Sequence, residues 1–167
     1  GHAEQHLGDR LRELLSLRLW TVDQLHRGDG VRIGHQPPHC RIEEGLDLVD
    51  LHDGSGLSPQ NDVAAADVIA FLKATSRQPY GAAWKATLAT PGDPDSTLRH
   101  RLREPELAGR INAKTGSIAS VSTLAGYVTA DSGKTYAFAI LLNGPGVWDG
   151  GGHAFQDRLL QALIHNG

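Results

Sequence analysis

Three adjacent residues, Lys114, Thr115 and Gly116, combine groups that can bind an anion. An ammonium and a hydroxyl on one side of an extended strand can bind a carboxylate, because both donate hydrogen bonds to its oxygens. Glycine has no Cβ, so a bound molecule can lie close to the strand. A triplet this short also occurs by chance, where it marks an ordinary junction between a turn and a strand. The carboxylate-binding reading therefore depends on the elements around it.

The flanking segments predict a small antiparallel sheet. Residues 119–129 contain small side chains followed by LAGYVT, residues 131–134 (DSGK) are typical of a tight turn, and residues 135–142 (TYAFAILL) are typical of a buried strand. Residues 153–165 predict a C-terminal helix. The side chains expected to be buried on it are Phe155, Leu159, Leu160, Leu163 and Ile164.

The preceding part of the chain is mainly helical in its periodicity. Amphipathic helices are predicted over residues 3–20, 22–27, 62–75 and 80–90, with a basic helical turn or short helix over 96–103. Helix 62–75 is expected to bury Val63, Ala66, Ile69, Ala70 and Leu72. Residues 35–39 are a loop because they contain consecutive prolines, and residues 46–51 predict a short strand. Residues 1–167 are expected to form a single domain, with a helical region at 3–110 and the sheet and last helix at 111–167.

Composition excludes several functional classes. The net charge of −3 and pI near 6.3 give no basic surface for nucleic acid, and no apolar run approaches the ~20 residues that span a bilayer. The single cysteine, Cys40, excludes an internal disulfide. The chain contains no methionine and begins with Gly1, so we expect a cut fragment, a recombinantly expressed piece or a processed form of a longer product. If the piece was expressed recombinantly, Gly1-His2 is expected to be a vector remnant.

Three motifs in a fixed order resemble a known family. The runs HDGSGLSPQN at residues 52–61, AKTGSI at 113–118 and STLAGYVTADSGKTYAFAILLNG at 122–144 are similar to the D-alanyl-D-alanine carboxypeptidase/endopeptidase family of low-molecular-mass penicillin-binding proteins, peptidase family S13. The resemblance covers roughly residues 3–165, all of it to the C-terminal part of such an enzyme. It implies an α+β fold, the C-terminal portion of the serine β-lactamase/penicillin-binding transpeptidase-like fold, with an incomplete three-stranded antiparallel sheet and flanking helices.

The resemblance also implies a function. Lys114, Thr115, Gly116 and Ser117 would bind substrate, namely a peptidoglycan stem peptide or a β-lactam, with a backbone amide near Ser117 contributing to the oxyanion hole. The family's Ser-x-x-Lys nucleophile and Ser-x-Asn motifs are both absent from this sequence. No catalytic residue is therefore expected in this chain, which would start just after the second motif and be inactive alone. The resemblance implies no cofactor and a location in the cell envelope, outside the cytoplasm.

The DGSGLS segment contains serines between glycines but is not a nucleophile elbow, because that motif needs glycine where Asp53 stands. A tight turn with Asp53 and Ser55 bonded to local backbone is favoured over a direct catalytic role. In the family this segment lies close to the active site. Asp53, Ser55 and Asn61 are therefore expected to be supporting residues.

A second segment allows two interpretations. Arg99, His100, Arg101 and Arg103 could bind a carboxylate or anionic glycan, or could form a solvated helix face, which is favoured. Just before them this chain has Ser96-Thr97-Leu98 where the family shows Gly-Thr-Leu. That departure leaves the local loop geometry open.

A metal-binding domain is a weaker hypothesis than an enzyme or a binding module, and no metal site is expected. His2 with His6, and His35 with His39 and Cys40, are the candidate ligand groups, but neither matches a complete zinc signature. Trp20, Trp84 and Trp148 are expected to anchor the core or loops, with Trp148 a candidate for substrate contact.

Two functional hypotheses remain for the whole chain. The first is part of a serine-type D-Ala-D-Ala carboxypeptidase, and the alternative is a non-catalytic peptidoglycan- or partner-binding module that has lost its nucleophile. In the family two further strands from the N-terminal region complete the sheet. Without them the strand at 135–142 would be exposed along its edge, which predicts a dimer, strand exchange or a companion fragment.

Overall fold

The computed structural model describes residues 20–21, 49–144, 147 and 150–167. Its regular elements are β1 (Trp20–Thr21), α1 (Ala65–Ser76), α2 (Gly81–Ala86), a 3-10 helix (Pro105–Leu107), β2 (Ile111–Ile118), β3 (Val121–Thr129), β4 (Thr135–Asn143) and α3 (Gly151–Asn166). The predicted α+β class is thus confirmed. Within the described residues, no helix is both long and apolar enough to cross a bilayer.

The strands form one antiparallel sheet in the order β1-β4-β3-β2. Ala119 and Ser120 alone connect β2 to β3, and Ser120 takes a left-handed backbone with a φ of 60°. The turn between β3 and β4 contains Gly133 at a φ of 81°, which glycine adopts at little cost. The predicted meander of three antiparallel strands is confirmed, and its first strand, β2, carries the Lys-Thr-Gly triplet.

The outer edge of β4 differs from the prediction. Thr21 lies opposite Tyr136 and Trp20 opposite Ala137, so β1 covers part of the edge that was expected to be exposed. Trp20 was also predicted to end a helix, and that assignment is wrong. Unpaired backbone groups along a strand edge bind any segment that can extend beside them, and an aromatic residue such as tryptophan suits an extended strand.

One face of the sheet packs on α3. Side chains alternate between the faces of a strand, so Ile111, Leu124, Val128 and Phe138 all point to this side and are buried. They share one cluster with helix and loop residues: Leu98, Leu102, Leu107, Leu160, Leu163 and Ile164. The helix thus covers the face that carries the Thr115 side chain.

The opposite face packs on α1 and α2. Tyr127 and Ala137 are buried there against Leu72 and Leu88, with Trp84 packed at the side. The Tyr127 hydroxyl donates to the carbonyl oxygen of Leu72 at 2.6 Å, and burial raises the pKa of this phenol, so it remains a donor. The sheet is therefore the middle of three layers, and β3 and β4 contribute the sheet residues buried on this second face.

The last helix is also fastened at its end. The Asp131 amide in the β3–β4 turn donates to the Ile164 carbonyl at 2.8 Å, which satisfies one of the free carbonyls at the helix C-terminus. The Asp131 carboxylate accepts from His165 at 3.0 Å and from Arg110. These two partners, His165 first, lower the pKa of Asp131. The turn, the start of β2 and the end of α3 are thereby joined.

Several predicted boundaries and faces need correction. The C-terminal helix is confirmed, and Leu160, Leu163 and Ile164 are buried as predicted. Gln156 is buried as well, while Phe155 and Leu159 are only half-buried. On the helix predicted at 62–75, Leu72 is buried as expected, yet Ala66 is exposed and Asp67 is buried in its place. Periodicity predicts which face of a helix is apolar. Packing in the folded protein decides which residues at the border of that face are buried. The helix predicted at 62–75 begins at Ala65, and the helix predicted at 80–90 is shortened to Gly81–Ala86. Of the strand predicted at 46–51, the described end forms a single bridge between Asp50 and Asp62, and residues 46–48 lie outside the described residues.

Residues 96–103 form hydrogen-bonded turns and no helix, so the short helix is wrong and the alternative of a turn is the one observed. The Ser96 hydroxyl donates to the Thr90 carbonyl at 2.6 Å and accepts from the Leu98 amide at 3.0 Å, which holds the start of the segment as a turn. Leu102 takes a left-handed backbone with a φ of 53°, which no α-helix contains. Outside the described residues lie residues 3–19 of the helix predicted at 3–20, the helix predicted at 22–27 and the loop predicted at 35–39.

Candidate functional site

The site begins with the outer edge of β2. Ala113 and Ala89 exchange both backbone hydrogen bonds, at 2.9 and 3.0 Å, on the side of β2 that faces away from β3. Backbone groups alternate in direction along an antiparallel strand, so the amide and carbonyl groups of Thr115 and Ser117 point the same way. Beyond Ala113 the strand therefore presents its hydrogen-bonding edge outward at the Lys-Thr-Gly triplet.

Lys114 is exposed, and its ammonium reaches this edge. It donates to the carbonyl oxygen of Thr115, which points outward from β2. The side chain itself starts on the α1 and α2 face, so it bends around the strand to make this contact. A positive charge is thereby placed beside the outward-facing backbone.

Thr115 brings a hydroxyl to the same place from the other face. Its Oγ1 donates to Oγ1 of Thr97 at 2.9 Å. Sequence reasoning selected Thr115 but treated Thr97 only as part of a divergent loop. The two residues are 18 positions apart, and no periodic signal connects them.

A side chain at Gly116 would collide with a hydroxyl on the neighbouring strand unless that hydroxyl rotated away. A Cβ at this position would lie 2.4 Å from Oγ1 of Thr123 on β3, far inside contact distance. Ser117 follows with an exposed side chain. The four residues predicted to bind substrate thus occur consecutively on a strand edge that, beyond Ala113, pairs with no other strand among the described residues, and Thr97 lies beside them.

The serine that replaces the family's glycine at position 96 fits without strain. Ser96 is buried, its backbone is outside the left-handed region, and its hydroxyl is satisfied within the loop. The departure at Ser96-Thr97-Leu98 therefore leaves an ordered turn that ends near Thr115.

The DGSGLS segment is a turn built around one carboxylate. Asp53 accepts hydrogen bonds from the Ser55 hydroxyl at 2.6 Å, the Asn61 side-chain amide at 2.8 Å and the Ser58 backbone amide at 3.1 Å. The backbone amides of Gly56 and Leu57 also donate to it. The expected local bonding of Asp53 and Ser55 is confirmed. Among the described residues, the side-chain hydrogen bonds of this turn stay within residues 52–61.

These donors make the turn sensitive to acid. Hydrogen bonds from Ser55 and Asn61, in that order, lower the pKa of Asp53 to about 2 from 3.8. A depressed carboxyl pKa adds stability that is complete above the unfolded value and disappears as pH falls through the folded one. We therefore expect amide-exchange protection at Gly56 and Ser58 to be constant above about pH 4 and to fall between about pH 4 and 2. Asp53→Asn should remove this dependence, and a carboxyl carbon that titrates near 3.8 by NMR would contradict it.

The basic residues of the segment 99–103 have different surroundings in the structure. The Arg101 guanidinium donates to Asp157 at 3.1 Å, to Gln156 at 3.0 Å and to the His153 carbonyl at 3.3 Å, all on α3. Arg99 and Arg103 are exposed. Neither original interpretation holds for Arg101, which fastens its loop to α3.

The remaining candidates are resolved in part. Trp84 packs edge-on against Phe71 with ring centres 5.7 Å apart and joins the core, as expected. Trp148 and the candidate metal ligands His2, His6, His35, His39 and Cys40 lie outside the described residues. In the described part of the chain, no three His, Cys, Asp or Glu side chains form a group that could hold a metal ion.

Comparison with known proteins agrees with this architecture. The curated D-alanyl-D-alanine carboxypeptidase of Actinomadura sp. is 40% identical over 98 residues, which are 56% of this chain and 18% of that protein. D-alanyl-D-alanine carboxypeptidase DacB of Haemophilus influenzae is 35% identical over 96 residues, covering 56% of this chain and 20% of the relative. The chain thus spans about one fifth of the length of these relatives.

Solved structures show the same fold. Penicillin-binding protein 4 of Haemophilus influenzae matches with a TM-score of 0.64 and 29% identity, over 72% of this chain and 28% of that one. A penicillin G-acylated predatory endopeptidase of Bdellovibrio bacteriovorus, in complex with an immunity protein, matches with a TM-score of 0.56 and 26% identity, over 70% of this chain and 33% of that one. The model of the D-Ala-D-Ala carboxypeptidase 3 (S13) family matches residues 43–162. This chain, whose open strand carries Lys114 to Ser117, therefore belongs to the D-Ala-D-Ala carboxypeptidase 3 (S13) family.

Proposed function

We propose that this chain is the substrate-binding, C-terminal part of a serine-type D-Ala-D-Ala carboxypeptidase that acts on peptidoglycan stem peptides and is acylated by penicillin. The observation that carries the proposal is the open edge of β2, where the Lys114 ammonium and Thr115 hydroxyl lie beside outward-facing backbone groups. Relatives named as D-alanyl-D-alanine carboxypeptidases and a penicillin G-acylated structural relative support it.

Each residue has a role in this proposal. Lys114 and Thr115 hold the terminal carboxylate of the peptide by a charge-assisted contact and a hydroxyl donor. Gly116 lets the peptide lie along the strand, and a backbone amide near Ser117 stabilises the oxyanion. The serine nucleophile and its activating lysine come from residues upstream of this chain, since Ser-x-x-Lys is absent here. Asp53, Ser55 and Asn61 support the site by keeping their turn rigid, and the enzyme acts outside the cytoplasm.

Intact-mass spectrometry with excess benzylpenicillin tests the proposal. The full-length product of the gene that encodes this chain should gain the mass of one penicillin, and this chain alone should gain none. A full-length protein that forms no adduct would favour the non-catalytic binding module instead. An adduct on the chain alone would place a nucleophile within these residues.

We also propose that the free edge of β4 is covered by another segment. Within the described residues, β1 pairs with Tyr136 and Ala137 and leaves the edge from Phe138 to Asn143 without a neighbouring strand. We expect this chain alone to form dimers, and addition of the upstream part of the protein to convert them to a one-to-one complex. Analytical ultracentrifugation at several concentrations measures this, and a monomer at every concentration would contradict it.

A further inference from the structure

The hydrogen bond between Thr97 and Thr115 assigns a role to a residue outside the Lys-Thr-Gly triplet. We propose that Thr97 is a positioning residue for the carboxylate site, because its hydroxyl orients that of Thr115 toward the bound anion. The inference rests on the proposed function and adds the Thr97 hydroxyl to the groups that form the carboxylate site. Thr97 is exposed, and its Oγ1 lies 2.9 Å from Oγ1 of Thr115.

The loop that carries Thr97 is held on both sides. Ser96 before it is buried and doubly hydrogen-bonded, and Leu98 after it is 0% exposed in the main core. Arg101 then fastens the same loop to α3 through Asp157. A short exposed residue between two buried ones has little freedom to move. Thr97 is therefore a fixed partner for Thr115, unlike a mobile surface hydroxyl.

Hydroxyl chemistry explains what this partner does. A threonine hydroxyl has one hydrogen to donate and can accept two hydrogen bonds. Without ligand, Thr115 donates to Thr97. A carboxylate only accepts, so Thr115 must turn its hydrogen to the anion, and Thr97 can then donate to Thr115. Only hydroxyl hydrogens rotate in this exchange, and each bond in such a chain polarises the next.

The ligand class follows from these groups. One ammonium and one polarised hydroxyl at an open strand edge suit a carboxylate attached to an extended peptide or to a β-lactam. Neutral esters lack the charge that this arrangement recognises. Loss of the Thr97 hydroxyl should thus matter for acids and not for esters.

The test compares variants of the full-length protein by their second-order rate of acylation. Thr97→Val keeps the shape of the side chain and removes its hydroxyl, while Thr97→Ser keeps the hydroxyl. With benzylpenicillin we expect about a tenfold loss for Thr97→Val, the size of one hydrogen bond to a charged system, and less than a twofold loss for Thr97→Ser. With benzylpenicillin methyl ester, Thr97→Val should differ from wild type by less than about twofold. A D-Ala-D-Ala peptide should show the tenfold loss, which separates the natural carboxylate from the drug.

The structure provides a matched control. Thr129 and Thr135 form a second hydroxyl pair, 3.1 Å apart, several residues along the sheet from the triplet. Thr135→Val removes one hydroxyl of that pair and should leave acylation unchanged. Three results would each overturn the inference. Thr97→Val could be acylated at the wild-type rate, Thr97→Ser could lose as much rate as Thr97→Val, or Thr97→Val could lose as much rate with the methyl ester as with benzylpenicillin. A wild-type protein that is not acylated would instead overturn the proposed function, and this inference with it.

Discussion

Gly126→Ala is expected to lower the free energy of unfolding of this chain by about 3 kcal/mol, the upper end of typical overpacking costs. Gly126 lies on β3 opposite Ala113, the residue just before Lys114. A Cβ at this position would lie 2.1 Å from the Asn112 carbonyl oxygen and 2.6 Å from the Ala113 Cα. Both are backbone atoms, so no side-chain rotation can relieve the clash.

The strain has a local consequence as well. To accommodate the methyl group, β2 must move away from β3 at the point where the Lys-Thr-Gly segment begins. Urea denaturation of the variant measures the stability, and amide exchange at Ala113 to Gly116 measures the opening of the strand pair.

Gly54→Ala is a suitable control for this variant. A Cβ at Gly54 would meet nothing within 4 Å, and its backbone is outside the left-handed region. It should therefore change stability by no more than about 0.5 kcal/mol. Equal stability of wild type and Gly126→Ala would show that the two strands separate more easily than this close packing indicates.

Lys114→Ala in the full-length protein is expected to reduce penicillin acylation by about a hundredfold. A hydrogen bond to a charged group contributes about 1.5–3 kcal/mol, and each 1.4 kcal/mol is a factor of ten. Thr115→Val should cause a smaller loss of about thirtyfold, since its hydroxyl is a neutral donor to the charged carboxylate and is also the group through which Thr97 acts. The reaction is measured as adduct formed against time by mass spectrometry.

Stability should be nearly unaffected by the lysine change, because Lys114 is exposed and, among the described residues, its ammonium donates to the neighbouring carbonyl alone. Lys134→Ala removes an equally exposed lysine in the β3–β4 turn and should be acylated like wild type. If Lys114→Ala reacts as fast as Lys134→Ala, the ammonium does not belong to the carboxylate site and the proposed role of the triplet fails.

The sequence alone determined the local features of this protein. Alternating and apolar runs indicated β3, β4 and the antiparallel turn, because strand period and turn chemistry depend on nearby residues. The Asp53 turn was predictable for the same reason, since its carboxylate bonds donors within eight residues. Three short motifs in order were sufficient for the family resemblance, which the family match over residues 43–162 confirms.

Only the tertiary structure decided which distant residues meet. Thr97 lies beside Thr115 because the loop and β2 both pack on one core, and Arg101 meets Asp157 across 56 positions because α3 lies over that loop. The buried Gln156 and Asp67 and the pairing of β1 with β4 were likewise missed. Such contacts depend on how whole elements dock, and a periodic pattern gives the apolar face of an element without giving its partner. The strand that we propose binds the carboxylate could therefore be predicted, and the hydroxyl beside it could not.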